Sequence, residues 1–405
     1  MIALELLLGL LATALAVPAC VYLVECICGS LLPDRRNLPG TELPERTTVI
    51  VPAHNEELGI ADTVAGLVHA VREGLEGRGE VVVVADNCTD NTAELARAAG
   101  AEVLERVDPD RRGKGHAIAH GVAAQAAAPP DLVILVDADC RTTAASIRNL
   151  TLEASTQQRP VQADYVMAPP KDPTPTSRIS GLAVILYNKV RPRGLRRLGL
   201  PCQLTGSGIA VRYTTLVSAP STGSNIVEDM ALGIEMALQG RPPMSTSSAE
   251  VWAELPDQRD AAIGQRRRWE HGRLATIWTY APRLIALGIL RCSPALLAMG
   301  LDLLIPPIAL LVLATAALGA ACYGATLLGC ASWPLWVAVS TLAAIAVATT
   351  TAWAVHGRKV LPVRHLLYIP LYILWKVPLY VAFFARKGQR SWNRTARSRG
   401  NSAAP

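Results

Sequence analysis

The sequence predicts an α/β domain with a mostly parallel sheet, joined to α-helical segments that cross a membrane. Four β-branched runs alternate with helical patterns between residues 46 and 255, as in a parallel sheet covered by helices on both faces. Apolar stretches of about 20 residues, the length that spans a bilayer, flank this region. The 405 residues are also 51% hydrophobic and only 18% charged, which favours a membrane component.

The first predicted element is an apolar N-terminal segment, residues 1–32. Its run LLLGLLATALAVPACVYLVECICGSLL is long enough to cross a bilayer. No basic residue precedes the run, and it is longer than the core of a signal peptide, about 7 to 15 residues, so we expect a retained anchor. Because Glu5 precedes the segment and Arg35 and Arg36 follow it, the positive-inside rule places the next region in the cytosol.

The second element is a polar domain, residues 46–255, which carries the predicted sheet. Its runs TTVIVPAHNEE, EVVVVADNCTDNT, AEVLERV and DLVILVDADC begin as strand patterns, and helical patterns such as IADTVAGLVHAVREGL separate them. Ligands of such sheets bind at the carboxyl ends of the strands, so the polar strand ends are expected to line one crevice. The chain lacks GxGxxG after the first strand and lacks GxxxxGK followed by Ser or Thr, which excludes the dinucleotide and P-loop fingerprints.

The strongest local signal is VILVDADC, a buried strand that ends in two carboxylates. Asp137 and Asp139 are two residues apart and therefore lie on the same side of an extended chain. Their charges repel each other unless a cation lies between them, and hard oxygen ligands suit Mg²⁺ or Mn²⁺. A solvated strand end is the alternative interpretation of this motif taken alone.

Basic residues collect beside apolar stretches, and the net charge of +6 is modest. This distribution favours lipid or phosphate ligands and argues against nucleic acid as a partner. The segment VRPRGLRRLGLPC contains four such arginines, Arg191, Arg193, Arg196 and Arg197. We expect it to form a solvated or membrane-facing basic loop without a catalytic role.

Residues 256–293 are predicted to form amphipathic helices at the membrane surface. A helix through IGQRRRWEHG places Gln265, Arg268 and Trp269 on one face, at i, i+3 and i+4. The other two arginines of the run then point elsewhere and are expected to lie near lipid phosphates.

The C-terminal part is predicted to be apolar and helical. Residues 294–356 are expected to hold two transmembrane helices, at about Leu303 to Tyr323 and Trp336 to Val355. For residues 361–385 we favour an interfacial or re-entrant helix over a third span, because two prolines and a lysine interrupt the apolar run. The tail, residues 386–405, is basic without an acidic residue and is expected in the cytosol.

Seven motifs in this order resemble those of the membrane-integrated family 2 glycosyltransferases: VPAHNEE, VVADNCTDNT, RRGKGHA, LVDADC, LTGSG, VEDMALG and QRRRW. This family includes cellulose, hyaluronan, chitin and poly-N-acetylglucosamine synthases and related exopolysaccharide enzymes. The resemblance covers nearly the whole chain. It implies the GT-A nucleotide-sugar-binding fold for the polar domain.

The resemblance also implies roles for individual residues. Asp137 and Asp139 correspond to the DxD pair that holds the donor diphosphate through Mg²⁺ or Mn²⁺. Asp229 corresponds to the general base, with Glu228 beside it as a second catalytic carboxylate. The residues implied to bind the nucleotide sugar are Pro52, Ala53, Asn55, Glu56, Asp86, Lys114, Asp137, Gln265, Arg268 and Trp269.

An acceptor site is implied at Gly206, Ser207, Gly208 and Trp269, although LTGSG by itself is also typical of a tight turn at a strand edge. The chain departs from the family pattern at His54, where tyrosine is common, and at Val227, which replaces threonine. Neither change removes a predicted catalytic carboxylate.

The tail motif SWNRTARSRG loosely resembles the gating loops that close over the nucleotide in polysaccharide synthases. The matching residues are Trp392, Arg394, Thr395 and Arg397. A polybasic tail bound to anionic lipid is the alternative, and both interpretations require a cytosolic tail.

The function that the resemblance implies is inverting transfer of a sugar from a nucleotide-diphosphate sugar, with UDP as the family default. The acceptor is a growing polysaccharide or a lipid-linked acceptor, in cell-surface or exopolysaccharide synthesis. The composition, rich in Ala, Arg and Gly, indicates a bacterial source and hence the plasma or inner membrane. Two alternatives stay open: addition of a single sugar to a lipid carrier, and a non-catalytic membrane scaffold that binds a nucleotide.

Overall fold

A computed structural model of the protein describes residues 1–34, 40–219, 228–255 and 259–385. Within these residues the chain forms two compact units. The sheet unit consists of residues 34–172 and 201–269, and the helical unit consists of residues 1–33, 173–200 and 270–385.

Eight strands form one sheet in the sheet unit. They are β1 (Thr47–Ala53), β2 (Gly79–Asp86), β3 (Glu102–Arg106), β4 (Leu132–Leu135), β5 (Arg141–Thr142), β6 (Val161–Ala168), β7 (Ile209–Arg212) and β8 (Met244–Glu254), in the order β3-β2-β1-β4-β7-β6-β8-β5. The neighbours β3, β2, β1 and β4 are parallel, as are β6 and β8. The pairs β4–β7, β6–β7 and β5–β8 are antiparallel. The four strands predicted from the sequence are therefore β1 to β4, the parallel half of the sheet.

The helices alternate with the strands and then dominate the C-terminal part. In chain order they are α1 (Ile2–Leu31), α2 (Ile60–Gly74), α3 (Thr92–Ala98), α4 (Lys114–Ala124), α5 (Ala144–Gln157), α6 (Pro175–Ile185), α7 (Arg191–Arg197), α8 (Tyr213–Ser218), α9 (Glu228–Leu238), α10 (Arg259–Leu290), α11 (Pro294–Leu303), α12 (Ile308–Leu327), α13 (Trp333–Ala352), α14 (Ile369–Trp375) and α15 (Val377–Phe384). Short 3-10 turns lie at Gln125–Ala127 and Val363–Tyr368, and π-helical turns at Leu186–Val190 and Trp353–Gly357.

Both faces of the sheet are covered, because alternate residues of a strand point to opposite sides and both sets are buried. On one side Ile50 packs in a cluster with Ala117 of α4 and Met236 of α9. On the other side Val49 and Val51 are fully buried, and helices α2 and α5 pack together over the sheet. The layers predicted from the alternating pattern are therefore present.

The helical unit contains four helical segments that are long and apolar enough to cross a membrane: Ile2–Leu31, Ile308–Leu327, Trp333–Gly357 and Val363–Phe384. The first agrees with the predicted anchor. The predicted span starting near Leu303 instead begins at Ile308, because Pro306 and Pro307 interrupt the helix and leave α11 as a separate element.

The last apolar segment is divided into α14 and α15 at Lys376. Each of these helices has a proline in its first turn, where the missing N–H costs nothing. The predicted surface helices of residues 256–293 are in fact one helix, α10, which continues through Pro282.

The arginine-rich segment from Arg191 is also different from the expected loop. It forms helix α7, and Arg191 is buried, as is Arg196. The Arg191 Nε donates to Glu25 Oε2 at 2.6 Å, and Nη2 pairs with the Asp302 carboxylate. A buried charge is stable only when it is paired, and both partners lie far away in the sequence, which is why the local pattern indicated a solvated loop.

Candidate active site

The carboxyl ends of β1 and β2 meet at one edge of the sheet, and hydrogen bonds join the loops that follow them. His54 Nδ1 lies 2.7 Å from the Asp86 carbonyl oxygen. Asn55 adopts the left-handed backbone region, with φ of 54°, and its Oδ1 accepts the Thr89 N–H at 2.7 Å. The Glu56 N–H donates to Thr92 Oγ1 at 2.7 Å, so Asn55, Glu56 and Asp86 lie on two joined loops. Their role in binding base and ribose stays a prediction.

Pro52 and Ala53 are the last residues of β1 and lie beside Val84 and Ala85 in the register with β2. Both residues therefore lie at the strand ends, next to the loops that follow β1 and β2. The position of all five residues follows from the parallel pairing of β1 with β2.

A side chain that the sequence analysis missed holds Asp86 in place. The Arg106 Nη1 lies 2.5 Å from Asp86 Oδ1, and both side chains are at most 10% exposed. The second guanidinium nitrogen pairs with Asp108 at 3.0 Å. Asp86 and Arg106 are register partners in the parallel pair β2–β3, so aligning the two predicted strands by their ends would have found the contact.

The DxD pair follows β4 at the same edge of the sheet. The Asp137 N–H donates to Ser207 Oγ at 3.0 Å, and the Cys140 N–H donates to the Asp137 carbonyl oxygen at 3.0 Å. Possible ligand atoms of Asp137, Asp139 and Cys140 lie within 4.8 Å of one another, close enough to share one divalent ion. Two carboxylates are the oxygen ligands that Mg²⁺ and Mn²⁺ prefer, so this donor set fits such an ion.

Lys114, the first residue of α4, points into this group of carboxylates. Its Nζ lies 2.6 Å from Asp137 Oδ1 and 3.4 Å from Glu228 Oε1, and it donates to the Gly206 carbonyl oxygen at 2.7 Å. Burial alone would lower the pKa of Lys114, but the charges of Asp137, Glu228 and Asp229 outweigh burial and raise it. The ammonium is therefore charged at neutral pH. Burial raises the pKa of Asp137, against the opposing effect of Lys114.

The two predicted catalytic carboxylates are the first residues of α9. Asp229 Oδ2 accepts the Gly206 N–H, and Oδ1 accepts the Met230 N–H at 2.8 Å. Burial raises the pKa of Glu228 to about 7, against the opposing charge of Lys114 and with a contribution from Asp229. Both carboxylates lie at the N-terminus of a helix, where the helix dipole favours negative charge, but for Glu228 burial outweighs this effect.

The LTGSG loop lies between Lys114 and Asp229 and forms hydrogen bonds with both. The peptide groups flanking Gly206 donate to Asp229 through its N–H and accept from Lys114 through its C=O. Gly206 has φ of 52°, and a Cβ at this position would lie 2.7 Å from Tyr165 Cε1. Glycine is therefore required by both conformation and space.

Gln162 on β6, which the sequence did not predict, holds the LTGSG loop through two hydrogen bonds to its backbone. It is fully buried, its Nε2 donates to the Ser207 carbonyl oxygen at 2.8 Å, and its Oε1 accepts the Thr205 N–H at 2.8 Å. A buried amide satisfied by backbone groups specifies one loop conformation. The available signal was weak, because the strand VQADYVMA contains a second polar residue, Asp164.

The QxxRW residues lie on α10, where their spacing puts them on one helix face. Gln265 is buried, and Arg268 and Trp269 are partly buried. Arg266 and Arg267 are partly buried as well. The predictions for the residue before the catalytic pair, Val227, for Arg35 and Arg36, and for the tail motif at Trp392, Arg394, Thr395 and Arg397 lie outside the described residues.

Comparison with known proteins identifies the family. A family model described as "Glycosyltransferase like family 2" matches residues 44–272, more than half of the chain. The chain belongs to this family. The matched range contains the predicted donor, metal, catalytic and acceptor residues, from Pro52 to Trp269, but not the tail motif.

Two characterised relatives match shorter parts of this family 2 chain. The low-salt glycan biosynthesis hexosyltransferase Agl6 of Haloferax volcanii is 38% identical over 100 residues, 25% of this chain and 22% of that protein. The 4,4'-diaponeurosporenoate glycosyltransferase of Staphylococcus aureus is 35% identical over 126 residues, 29% of this chain and 32% of that protein. The chain thus spans less than a third of the length of each relative.

A solved structure matches over nearly the whole length. The mannosyltransferase PcManGT from Pyrobaculum calidifontis, determined in complex with GDP-Man and Mn²⁺, gives a TM-score of 0.53 at 18% identity. The match covers 94% of this chain and 99% of that chain. At this identity the likeness concerns the fold, and it confirms the predicted GT-A fold with a mostly parallel sheet and added apolar helices.

Proposed function

We propose that this family 2 protein is an inverting glycosyltransferase that moves a sugar from a nucleoside-diphosphate sugar to a polysaccharide or lipid-linked acceptor. One observation carries the proposal. At a single edge of the GT-A sheet, the Lys114 ammonium lies 2.6 Å from Asp137 and 3.4 Å from Glu228. Asp229 accepts the N–H of Gly206, whose carbonyl oxygen accepts from Lys114. Such a group of charges suits a donor that carries a diphosphate and an acceptor whose hydroxyl is the nucleophile.

The donor is expected to lie across the strand ends. Pro52, Ala53, Asn55, Glu56 and Asp86 surround the base and ribose, and Arg106 keeps the Asp86 carboxylate in one orientation. Lys114 contributes positive charge to the diphosphate. Gln265 and Arg268 approach the phosphates from α10, where a guanidinium can bind two phosphate oxygens at once.

Asp137 and Asp139 are the residues that would hold Mg²⁺ or Mn²⁺. Their oxygen ligands lie close enough for one ion, and Ser207 fixes the backbone of Asp137. When bound, the ion supplies counter-charge to the departing nucleoside diphosphate. The Mn²⁺ reported for the Pyrobaculum mannosyltransferase supports the same requirement in this chain.

Asp229 serves as the base in this proposal. The acceptor hydroxyl gives its proton to the carboxylate while its oxygen bonds to the anomeric carbon, and the bond from that carbon to the diphosphate breaks on the opposite side. Each Asp229 oxygen accepts one backbone N–H, so each retains a lone pair for the proton. Glu228 beside it adds negative charge that favours proton uptake.

The acceptor is proposed to bind over the LTGSG loop. Gly206, Ser207 and Gly208 leave room for a sugar, and Trp269 offers a flat platform for one. The QxxRW motif favours polymer synthesis, as in the cellulose and hyaluronan synthases that the sequence resembles. The small number of apolar segments after the sheet favours the second candidate, addition of one sugar to a lipid carrier.

The protein is proposed to reside in the inner membrane with the sheet unit in the cytosol. This arrangement follows if α1 crosses once, α12 and α13 cross as a pair, and Val363–Phe384 lies in the interface. A reporter fused after residue 385 tests it. Periplasmic activity of the reporter would show that the last segment crosses as well.

The decisive experiment uses purified protein in lipid nanodiscs with a panel of radiolabelled donors, including UDP-glucose, UDP-N-acetylglucosamine and GDP-mannose. We expect hydrolysis or transfer of one donor that requires Mn²⁺ or Mg²⁺ and is lost in Asp137→Asn and Asp229→Asn. Full transfer by Asp229→Asn would refute the assignment of the base. Binding of nucleotides without turnover of any donor would support the scaffold instead.

A further inference from the structure

The Lys114 ammonium is the centre of a charge cluster at the carboxyl ends of the strands. It lies 2.6 Å from Asp137 Oδ1, 3.4 Å from Glu228 Oε1 and 2.7 Å from the Gly206 carbonyl oxygen. Its side chain is 19% exposed, so solvent screens these contacts only in part. One cation thus already neutralises the first aspartate of the pair that is expected to hold a divalent ion.

This contact sets two cations in competition for one carboxylate. A divalent ion that binds Asp137 and Asp139 must either share Asp137 with the ammonium or displace it. Sharing brings like charges close together, and displacement costs Lys114 its partner in a partly buried site. The metal alone therefore binds against an opposing interaction.

A diphosphate removes the opposition because it carries negative charge that both cations can share. Lys114 begins α4, so its backbone stays in place while the long side chain turns from Asp137 toward the phosphates. The divalent ion then has Asp137 to itself. Glu228 and Asp229 near the ammonium, and Asp139 beside Asp137, add negative charge that favours retention of both cations.

We propose that Lys114 makes binding of the divalent ion conditional on the nucleoside diphosphate, so that ion and donor enter the site together. The inference rests on the proposed function, since it takes Asp137 and Asp139 as the metal ligands. By thermodynamic reciprocity, the diphosphate also binds more tightly in the presence of the ion. In the absence of donor the site keeps its charges paired within the protein.

The test measures Mn²⁺ binding to the full-length protein in nanodiscs by electron paramagnetic resonance, which counts free Mn²⁺ without any need for activity. Wild type, Lys114→Met, Lys114→Arg and Lys171→Met are titrated with Mn²⁺ alone and then with saturating UDP or GDP. Lys171→Met is the control, because it removes one positive charge from an exposed position elsewhere in the sheet unit.

We expect Lys114→Met to bind Mn²⁺ alone about tenfold more tightly than wild type, while Lys114→Arg and Lys171→Met stay within about threefold. Adding UDP or GDP should tighten Mn²⁺ binding to wild type about tenfold or more, and much less in Lys114→Met. Equal Mn²⁺ affinity of Lys114→Met and wild type without nucleotide would overturn the inference.

Two further measurements separate this inference from the metal site itself. If Lys114→Met does not fold, wild type alone decides: Mn²⁺ affinity that is the same with and without nucleotide overturns the inference. Asp137→Asn should abolish Mn²⁺ binding in every condition. If it binds Mn²⁺ as wild type does, the assignment of the metal ligands is wrong, and the inference is overturned together with it.

Discussion

Replacing Gly206 by alanine is expected to disconnect the proposed base from the cation that faces the diphosphate. Gly206 has φ of 52°, a left-handed conformation that costs a residue with a Cβ about 1–2 kcal/mol. The added methyl group would also lie 2.7 Å from Tyr165 Cε1, so the loop or the ring must shift. We expect the free energy of unfolding to fall by about 2–3 kcal/mol in total.

Turnover should fall as well, by an amount similar in free energy to the loss of stability. Both neighbours of Gly206 in the site, Asp229 and Lys114, bind its N–H and C=O, so a displaced loop moves both charges at once. Misplacement of reacting groups by about 1 Å costs on the order of 10²-fold in rate. We expect kcat of Gly206→Ala to fall about that far in the donor-transfer assay at saturating donor and metal.

Gly100→Ala is the control for backbone strain. Gly100 has φ of 97°, and an added Cβ would lie 3.7 Å from Val68 Cγ1, so the conformational strain is present without a clash. Gly100 lies between α3 and β3, at the amino end of that strand and away from the carboxyl ends that carry the site. We expect a much lower kcat in Gly206→Ala and an unchanged kcat in Gly100→Ala; an equal loss of kcat in both variants would refute the reasoning.

Three further changes test separate parts of the structure. Arg106→Met frees the Asp86 carboxylate, so the donor KM should rise about tenfold at nearly constant kcat; a change in kcat alone would contradict this role. Because the pKa of Glu228 is raised from 4.5 to about 7, the metal-free protein should lose about 3 kcal/mol of stability as pH rises through that interval. In Glu228→Gln that pH dependence, followed by thermal unfolding, should flatten; an unchanged curve would refute the assignment. Arg191→Met leaves two buried carboxylates unpaired and should cost about 3–5 kcal/mol of unfolding free energy, whereas Arg291→Met at an exposed position should cost little.

Local patterns were sufficient for the parallel half of the sheet. The β-branched runs that end in polar residues became β1 to β4, and the parallel pairing of β1, β2 and β4 brings Asp86 and Asp137 to one edge, as predicted. The boundary of α12 was missed because the hydropathy of the run outweighed its two prolines, which end the preceding helix. The composition of a segment shows that it is apolar, whereas the prolines, which lack a backbone N–H, determine where its helix begins.

The contacts that hold the site were less predictable. Arg106 contacts Asp86 across a strand pair, and Gln162 reaches the LTGSG loop from a strand whose neighbours are set by the sheet order β7-β6-β8. This strand order cannot be predicted from the local sequence of any one strand. Arg191 was expected in solvent because its sequence neighbours are arginines, but its partners Glu25 and Asp302 come from distant helices. Long-range pairing decides the environment of such residues.

The buried pair of Glu25 with Arg191 also constrains how the protein is made. Glu25 lies in α1, and its cation follows 166 residues later in the chain, with Asp302 another 111 residues beyond that cation. During synthesis α1 is therefore completed long before Arg191 is made. Glu25 gains its buried partner only when α7 has followed, and Arg191 gains its second carboxylate only after α11 has been made. These buried ion pairs therefore join the helices of the unit only late in synthesis, which makes their docking a step of final assembly and separates it in time from the insertion of α1.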